Sequence, residues 1–178
     1  MDVSIDVEKA LRRIPNEKKA RTAVMRSLND ANAKGKTAAS KAVRSKFALK
    51  AGDIASTVYV IKAGTATLTG KLLYKARQKN MINYNVKPKK IVSGGKGKKV
   101  SAGVLKNKTS IYNSAFVQNV NGLGLWKRTS KDRLPIKPVY GPASSQLMRN
   151  KVVLKAYEDM AAETFNTRFE HHFDRAMK

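Results

Sequence analysis

SAFVQNVNGLGLWKRTSKDRLPIKPVYGPASSQ, from Ser114 to Gln146, is the stretch that decides the fold. Ala115-Phe116-Val117 opens a strand, Gly122 and Gly124 bound a turn, and Lys127-Arg128 make it basic. An extended run follows, Arg133-Leu134-Pro135-Ile136-Lys137-Pro138-Val139-Tyr140-Gly141-Pro142. Pro135 and Pro138 bias Leu134 and Lys137 toward extended backbone. Gly141 reads as a turn residue, and Pro142 suits the first turn of a helix, where its missing N–H would be unpaired anyway. On chemistry alone the stretch is a rigid connection from a sheet into a C-terminal helix.

C-terminal to it, Val153, Tyr157, Ala161, Phe165, Phe169 and Phe173 recur every four residues, with Leu154 and Met160 beside them. That is a long amphipathic helix, and Phe165, Phe169 and Phe173 are expected to pack it onto the rest of the protein. N-terminal to it, Thr57–Ile61 is β-branched and aromatic and reads as a strand. Thr65–Tyr74, Met81–Val86, Val100–Leu105 and Ser110–Val120 follow as further strands. At the start, Asp6 is placed to cap a short helix through Ile14 that Pro15 ends. Asn16 begins a longer one whose apolar face is narrow and small: Ala20, Val24, Leu28 and Ala31, then Ala38, Ala42 and Val43, with Gly35 as a possible kink. Phe47–Ile54 reads as a turn with a short helical segment. The expected class is α+β, a single domain over residues 1–178. An antiparallel sheet or small barrel of about five or six strands is flanked by a long N-terminal helix and a long C-terminal one. The helical region is 1–50, the basic β region 54–140, and the C-terminal helix starts at 142.

Charge is the second large feature. The 178 residues carry 37 Lys plus Arg against 12 Asp plus Glu, a formal +25. Residues 54–131 contain no acid and 16 bases, while the flanks hold all 12 acids and the other 21 bases. A segment so one-sided repels itself unless it meets a polyanion. The densest part is Lys87-Pro-Lys-Lys-Ile-Val-Ser-Gly-Gly-Lys-Gly-Lys-Lys99. Its three glycines and one proline make a poor core, so Lys87, Lys89, Lys90, Lys96, Lys98 and Lys99 are expected on a mobile hairpin arm that binds polyanions without base specificity.

Residue chemistry narrows the classes. There is no cysteine, hence no disulfide and no cysteine-based zinc site. His171 and His172 are adjacent, project about 100° apart on a helix, and read as solvated terminal residues rather than a chelating pair. Glu158, Asp159 and Glu163 lie among Lys155 and Arg168 as ordinary helix salt-bridge patterning. Gly94-Gly95-Lys96-Gly97-Lys98 lacks the P-loop spacing, and the basic middle has no acids to hold Mg²⁺. No catalytic, cofactor or metal site is expected. No run reaches the roughly 18 apolar residues of a membrane span, and the first residues lack a secretory pattern.

The stretch quoted first also resembles the minor tail protein Z family of tailed bacteriophages. The residues that carry the resemblance are Ala115, Phe116, Val117, Gly122, Gly124, Lys127, Arg128, Arg133, Leu134, Pro135, Ile136, Tyr140, Gly141 and Pro142. The family also opens with a long basic, alanine-rich helix, as this chain does. The resemblance implies a structural virion protein, not an enzyme, that completes the head-proximal end of the tail and allows head–tail joining and DNA passage. It further implies other tail and neck proteins as partners, a homo-oligomeric ring, here expected to be a hexamer, and duplex DNA in the channel. The expected location is the virion tail, reached from the host cytoplasm. Duplex DNA carries about one charge per 1.7 Å, so a ring about 40 Å tall faces roughly 24 phosphates. Six copies at +25 exceed this several-fold, so much of the charge would face acidic proteins or solvent. The competing expectation is a basic nucleic-acid-binding protein of ribosomal type. Against it, only Arg77 and Arg128 among the 16 central bases are Arg, and RNA recognition favours Arg.

Overall fold

The computed structural model describes residues 16–92 and 99–177. The helix expected between Asp6 and Ile14 lies outside them. The described residues fall into two compact units, one within Met1–Ala42, Thr57–Lys75 and Met148–Lys178, the other within Val43–Ser56 and Ala76–Leu147. The class is α+β, with long helices toward both ends of the chain and antiparallel sheets between.

Unit one is built on two helices. Helix α1, Glu17–Lys46, starts where Asn16 Oδ1 accepts the Lys19 N–H at 3.1 Å, an N-cap bond. It runs 30 residues without a break at Gly35. Its buried face is an i+4 series of small residues, Ala23, Ser27, Ala31, Gly35 and Ala39. Opposite them stands the series Val153, Tyr157, Ala161, Phe165 and Phe169, all buried. Gly35 is a close-packing position, not a kink: a Cβ there would stand 2.7 Å from Tyr157 ring carbons. The Tyr157 hydroxyl donates to Asn32 Oδ1 at 2.5 Å, so the polar atoms that follow the ring inside are paired. Bonds from residue 19 to 176 and from 32 to 157 make the two helices antiparallel.

The second helix does not begin at Pro142. A short helix α2, Ala51–Ala55, belongs to unit two, as do residues 144–147 of α3, Ser144–Met148, and the long helix α4, Lys151–Met177, starts anew at Asn150, whose Oδ1 accepts the Val152 N–H. Pro142 precedes the cap of α3 rather than sitting in its first turn. Gln146 reaches back to accept the Ala143 N–H at 3.0 Å, half of a capping box. Of the three phenylalanines, Phe165 and Phe169 are buried and stack at 5.8 Å, while Phe173 is half-buried and lies 6.1 Å from Phe169.

Strands β1, Val58–Ile61, and β2, Lys71–Tyr74, pair antiparallel as a two-stranded ribbon. Thr65–Gly70 leaves the ladder because α1 holds that segment instead. Arg21 donates to the Thr65 and Ala66 carbonyls, and the Asn29 amide pairs with both the N–H and the C=O of Ala63. One oddity remains in this core. The Tyr74 hydroxyl is buried with no hydrogen-bond partner, and burial, then the neighbouring Tyr157, pushes its pKa up to about 12. An unpaired buried hydroxyl costs about 1–3 kcal/mol, so Tyr74→Phe is expected to leave stability unchanged or raise it, read from urea unfolding. In wild type the unfolded phenol ionises near about 10. Stability is therefore intact below that pH and falls as pH rises toward 12, a slope Tyr74→Phe should weaken.

Unit two carries two three-stranded sheets. The first orders β3, Asn85–Lys87, β4, Val100–Gly103, and β5, Ser110–Tyr112; the second orders β6, Ala115–Asn119, β7, Leu123–Arg128, and β8, Ile136–Pro138. The β structure expected as one sheet or barrel is thus divided among three small sheets. Two local features make the division. Ser114 has φ of 62°, a left-handed turn that parts β5 from β6. Met81–Asn83 is a 3-10 turn rather than strand, because Asn80 Oδ1 accepts the Ile82 N–H and caps it. Pro138 lies on the edge strand β8, where no ladder N–H is missed.

Candidate polyanion-binding surface

The basic arm joins two antiparallel neighbours. Lys87 ends β3 opposite Ser101 of β4, so the strands on either side of the basic stretch pair antiparallel. Lys87, Lys89, Lys90 and Lys99 are all exposed, and none has a carboxylate partner among the described residues. Lys96 and Lys98 lie outside the described residues. Four bases at one hairpin end can take phosphate or carboxylate oxygens as point charges, without orientation by a second set of side chains.

The signature residues are brought together by the second sheet of unit two. Ala115, Phe116 and Val117 form β6, and Gly122, with φ of 95°, supplies the β6–β7 turn. Phe116 pairs across with Trp126, and the Arg128 guanidinium lies 5.4 Å from the Phe116 ring, a cation–π contact. Ile136 sits opposite Arg128 in β8. Gly141 does not need a left-handed backbone; its role is close approach, since a Cβ would stand 2.5 Å from the Tyr84 ring. The Tyr84 hydroxyl donates to the Pro142 carbonyl, and burial, then Asp53, raises its pKa. Lys127, Arg128, Arg133, Leu134, Pro135 and Tyr140 are exposed, Leu134 at 66% and Tyr140 at 57%.

Reading the sequence missed the residue that organises this sheet. Asn80 Oδ1 accepts the Leu125 N–H at 2.8 Å while its Nδ2 donates to the Leu125 carbonyl at 3.1 Å. Its backbone bridges Tyr140, and the Met81 N–H donates to the Val139 carbonyl. A lone Asn before an apolar triplet is only a cap signal in sequence; nothing there names its partner 45 residues away. Nearby, Lys79 and Asp53 form a half-buried ion pair at 2.6 Å.

One of the two histidines differs from expectation. His171 is exposed, but the His172 side chain is only 13% exposed, and both its ring nitrogens are buried without a hydrogen-bond partner. Its Nε2 stands 3.5 Å from Asp30 Oδ2, too long for a well-formed bond. Burial lowers its pKa, against the pull of Asp30. Among the described residues no three His, Asp or Glu side chains converge as metal ligands, and no helix is long and apolar enough to cross a membrane. No family model, curated protein or solved structure matches the chain.

Proposed function

We propose that this chain is a structural protein of a phage tail, a ring of six copies at the head-proximal end that completes the tail and lets DNA pass. The observation that carries the reading is how the signature divides. Ala115, Val117, Gly124 and Gly141 are buried, whereas Lys127, Arg128, Arg133, Leu134, Pro135 and Tyr140 are exposed. Leu134 and Tyr140 stand beside these bases as exposed apolar surface that a neighbouring protein would cover. Two further features support assembly. The β1–β2 ribbon exposes Tyr59, Val60, Ile61 and Leu73, apolar surface that subunit packing would cover. The basic hairpin supplies long-range attraction to acidic tail proteins or to DNA.

The experiment replaces Lys87, Lys89, Lys90, Lys96, Lys98 and Lys99 together by Ser and asks the variant to complement a phage lacking the protein. The isolated variant should melt as wild type does, because the four described lysines are exposed. Infectivity should fall, and the wild-type interaction should weaken between about 50 and 200 mM salt. Full infectivity from the variant, or wild-type protein that purifies as a monomer bound to RNA, contradicts the reading.

A further inference from the structure

Within unit one, the start of α1 and the end of α4 enclose a cleft of about 340 Å³. Lys18, Thr22 and Arg26, one face of α1 at i+4 spacing, form one wall with Lys19; His172 and Arg175 of α4 form the other. Among the described residues four cations line the cleft and no carboxylate does. Helix-end chemistry accounts for part of this: Lys19 Nζ donates to the Ala176 carbonyl at 2.9 Å, and Arg175 suits the negative end of α4. It does not account for Lys18 or Arg26, which cluster like charge at a cost unless an anion joins them. Nor does it explain why the lining residue His172 buries its Nδ1 without a partner among the described residues, while its Nε2 meets only Asp30 Oδ2, at 3.5 Å.

We propose that this cleft binds a phosphoryl group, carried either by a small phosphate ester or by a nucleic-acid backbone. Two guanidiniums present fork-shaped donor pairs that match phosphate oxygens, and the lysines add point charge. The volume lies within the range of small-molecule sites, about 300–1,000 Å³, so it holds more than a bare oxyanion. Asp30 and Arg26 on α1, with His171 on α4, set the charge around His172. An anion entering beside them favours the charged imidazole and raises its pKa. The inference stands apart from the tail reading, since a phosphoryl site needs neither a ring nor a virion.

Imidazole NMR of the full chain reads this directly, with inorganic phosphate, a nucleoside monophosphate and a short DNA duplex as separate probes. The expected result is a saturable shift of the His172 signals and a raised His172 pKa, with His171 little changed. R26Q/R175Q should weaken binding roughly tenfold or more, with an unchanged melting curve. K34Q/K41Q, which removes two exposed lysines of α1 that do not line the cleft, should not. Saturation by phosphate and monophosphate identifies a small ester; saturation by duplex alone identifies the backbone. No saturable His172 response to any probe, or equal affinity in R26Q/R175Q, overturns the proposal.

Discussion

Tyr157→Ala should destabilise unit one by about 3–5 kcal/mol, the cost of truncating a large buried aromatic. Tyr157 is 5% exposed, lies against Gly35, and holds Asn32 through its hydroxyl. The substitution opens a cavity on the small-residue ridge of α1 and leaves the Asn32 oxygen without that donor. Tyr157→Phe separates the two effects. It keeps the ring and should cost about 1–3 kcal/mol for the buried oxygen alone. Gly35→Ala supplies an internal check with a sign that helix propensity alone gets wrong. Propensity favours Ala over Gly by up to about 1 kcal/mol, yet the new methyl would stand 2.7 Å from the Tyr157 ring. Overpacking of that kind costs about 1–3 kcal/mol, so the net result should be destabilising. Urea unfolding of the three variants reads all of this. A Gly35→Ala protein more stable than wild type would mean that α1 and α4 do not meet at this residue.

Asn80→Ala should cost on the order of 3 kcal/mol and fall mainly on unit two. The Leu125 N–H loses its acceptor, about 1–3 kcal/mol for a buried donor left unpaired. The Leu125 carbonyl loses one of two donors, since the Val139 N–H still reaches it at 2.9 Å. The cap on the Met81–Asn83 turn goes as well, about 0.5–2 kcal/mol. Asn80→Asp is the informative companion, because it keeps the oxygen acceptor for Leu125 and Ile82 but cannot donate to the Leu125 carbonyl. It should lose less than Ala does. Amide hydrogen exchange localises the effect: protection at Leu125 should drop first. Unchanged protection there in Asn80→Ala would show that the backbone ladder alone holds β7.

Both long helices were legible because their contacts repeat at i+4. The Val153 to Phe169 series is buried as read, whereas the face read on α1 was only partly right: Ala20, Val24, Ala31 and Val43 are buried, Leu28, Ala38 and Ala42 only half-buried, and the ridge of Ala23, Ser27, Gly35 and Ala39 was not read. The cap at Asn16 was legible for the same local reason. What escaped depends on partners distant in sequence. Gly35 is a weak helix former locally, and only Tyr157 explains why it stays helical. Thr65–Tyr74 reads as strand, but Arg21 takes the Thr65 and Ala66 carbonyls and Asn29 the Ala63 backbone just before them, and pairing covers only Lys71–Tyr74. Asn80 carries no signal of its 45-residue reach, and His172 reads as solvated until Asp30 and Arg26 are brought beside it. Of the basic stretch, the antiparallel pairing of the flanking strands β3 and β4 and the exposure of Lys87, Lys89, Lys90 and Lys99 are seen, and its glycines lie outside the described residues.

The central claim is a sixfold tail ring, and a reconstruction of the tailed particle at side-chain resolution tests it most directly. It should show six copies of this chain closed around the DNA channel at the head-proximal end of the tail, with the Arg133–Tyr140 surface against a neighbouring protein or protomer. A particle with no density for this chain, or with the chain elsewhere and that surface facing solvent, would contradict it.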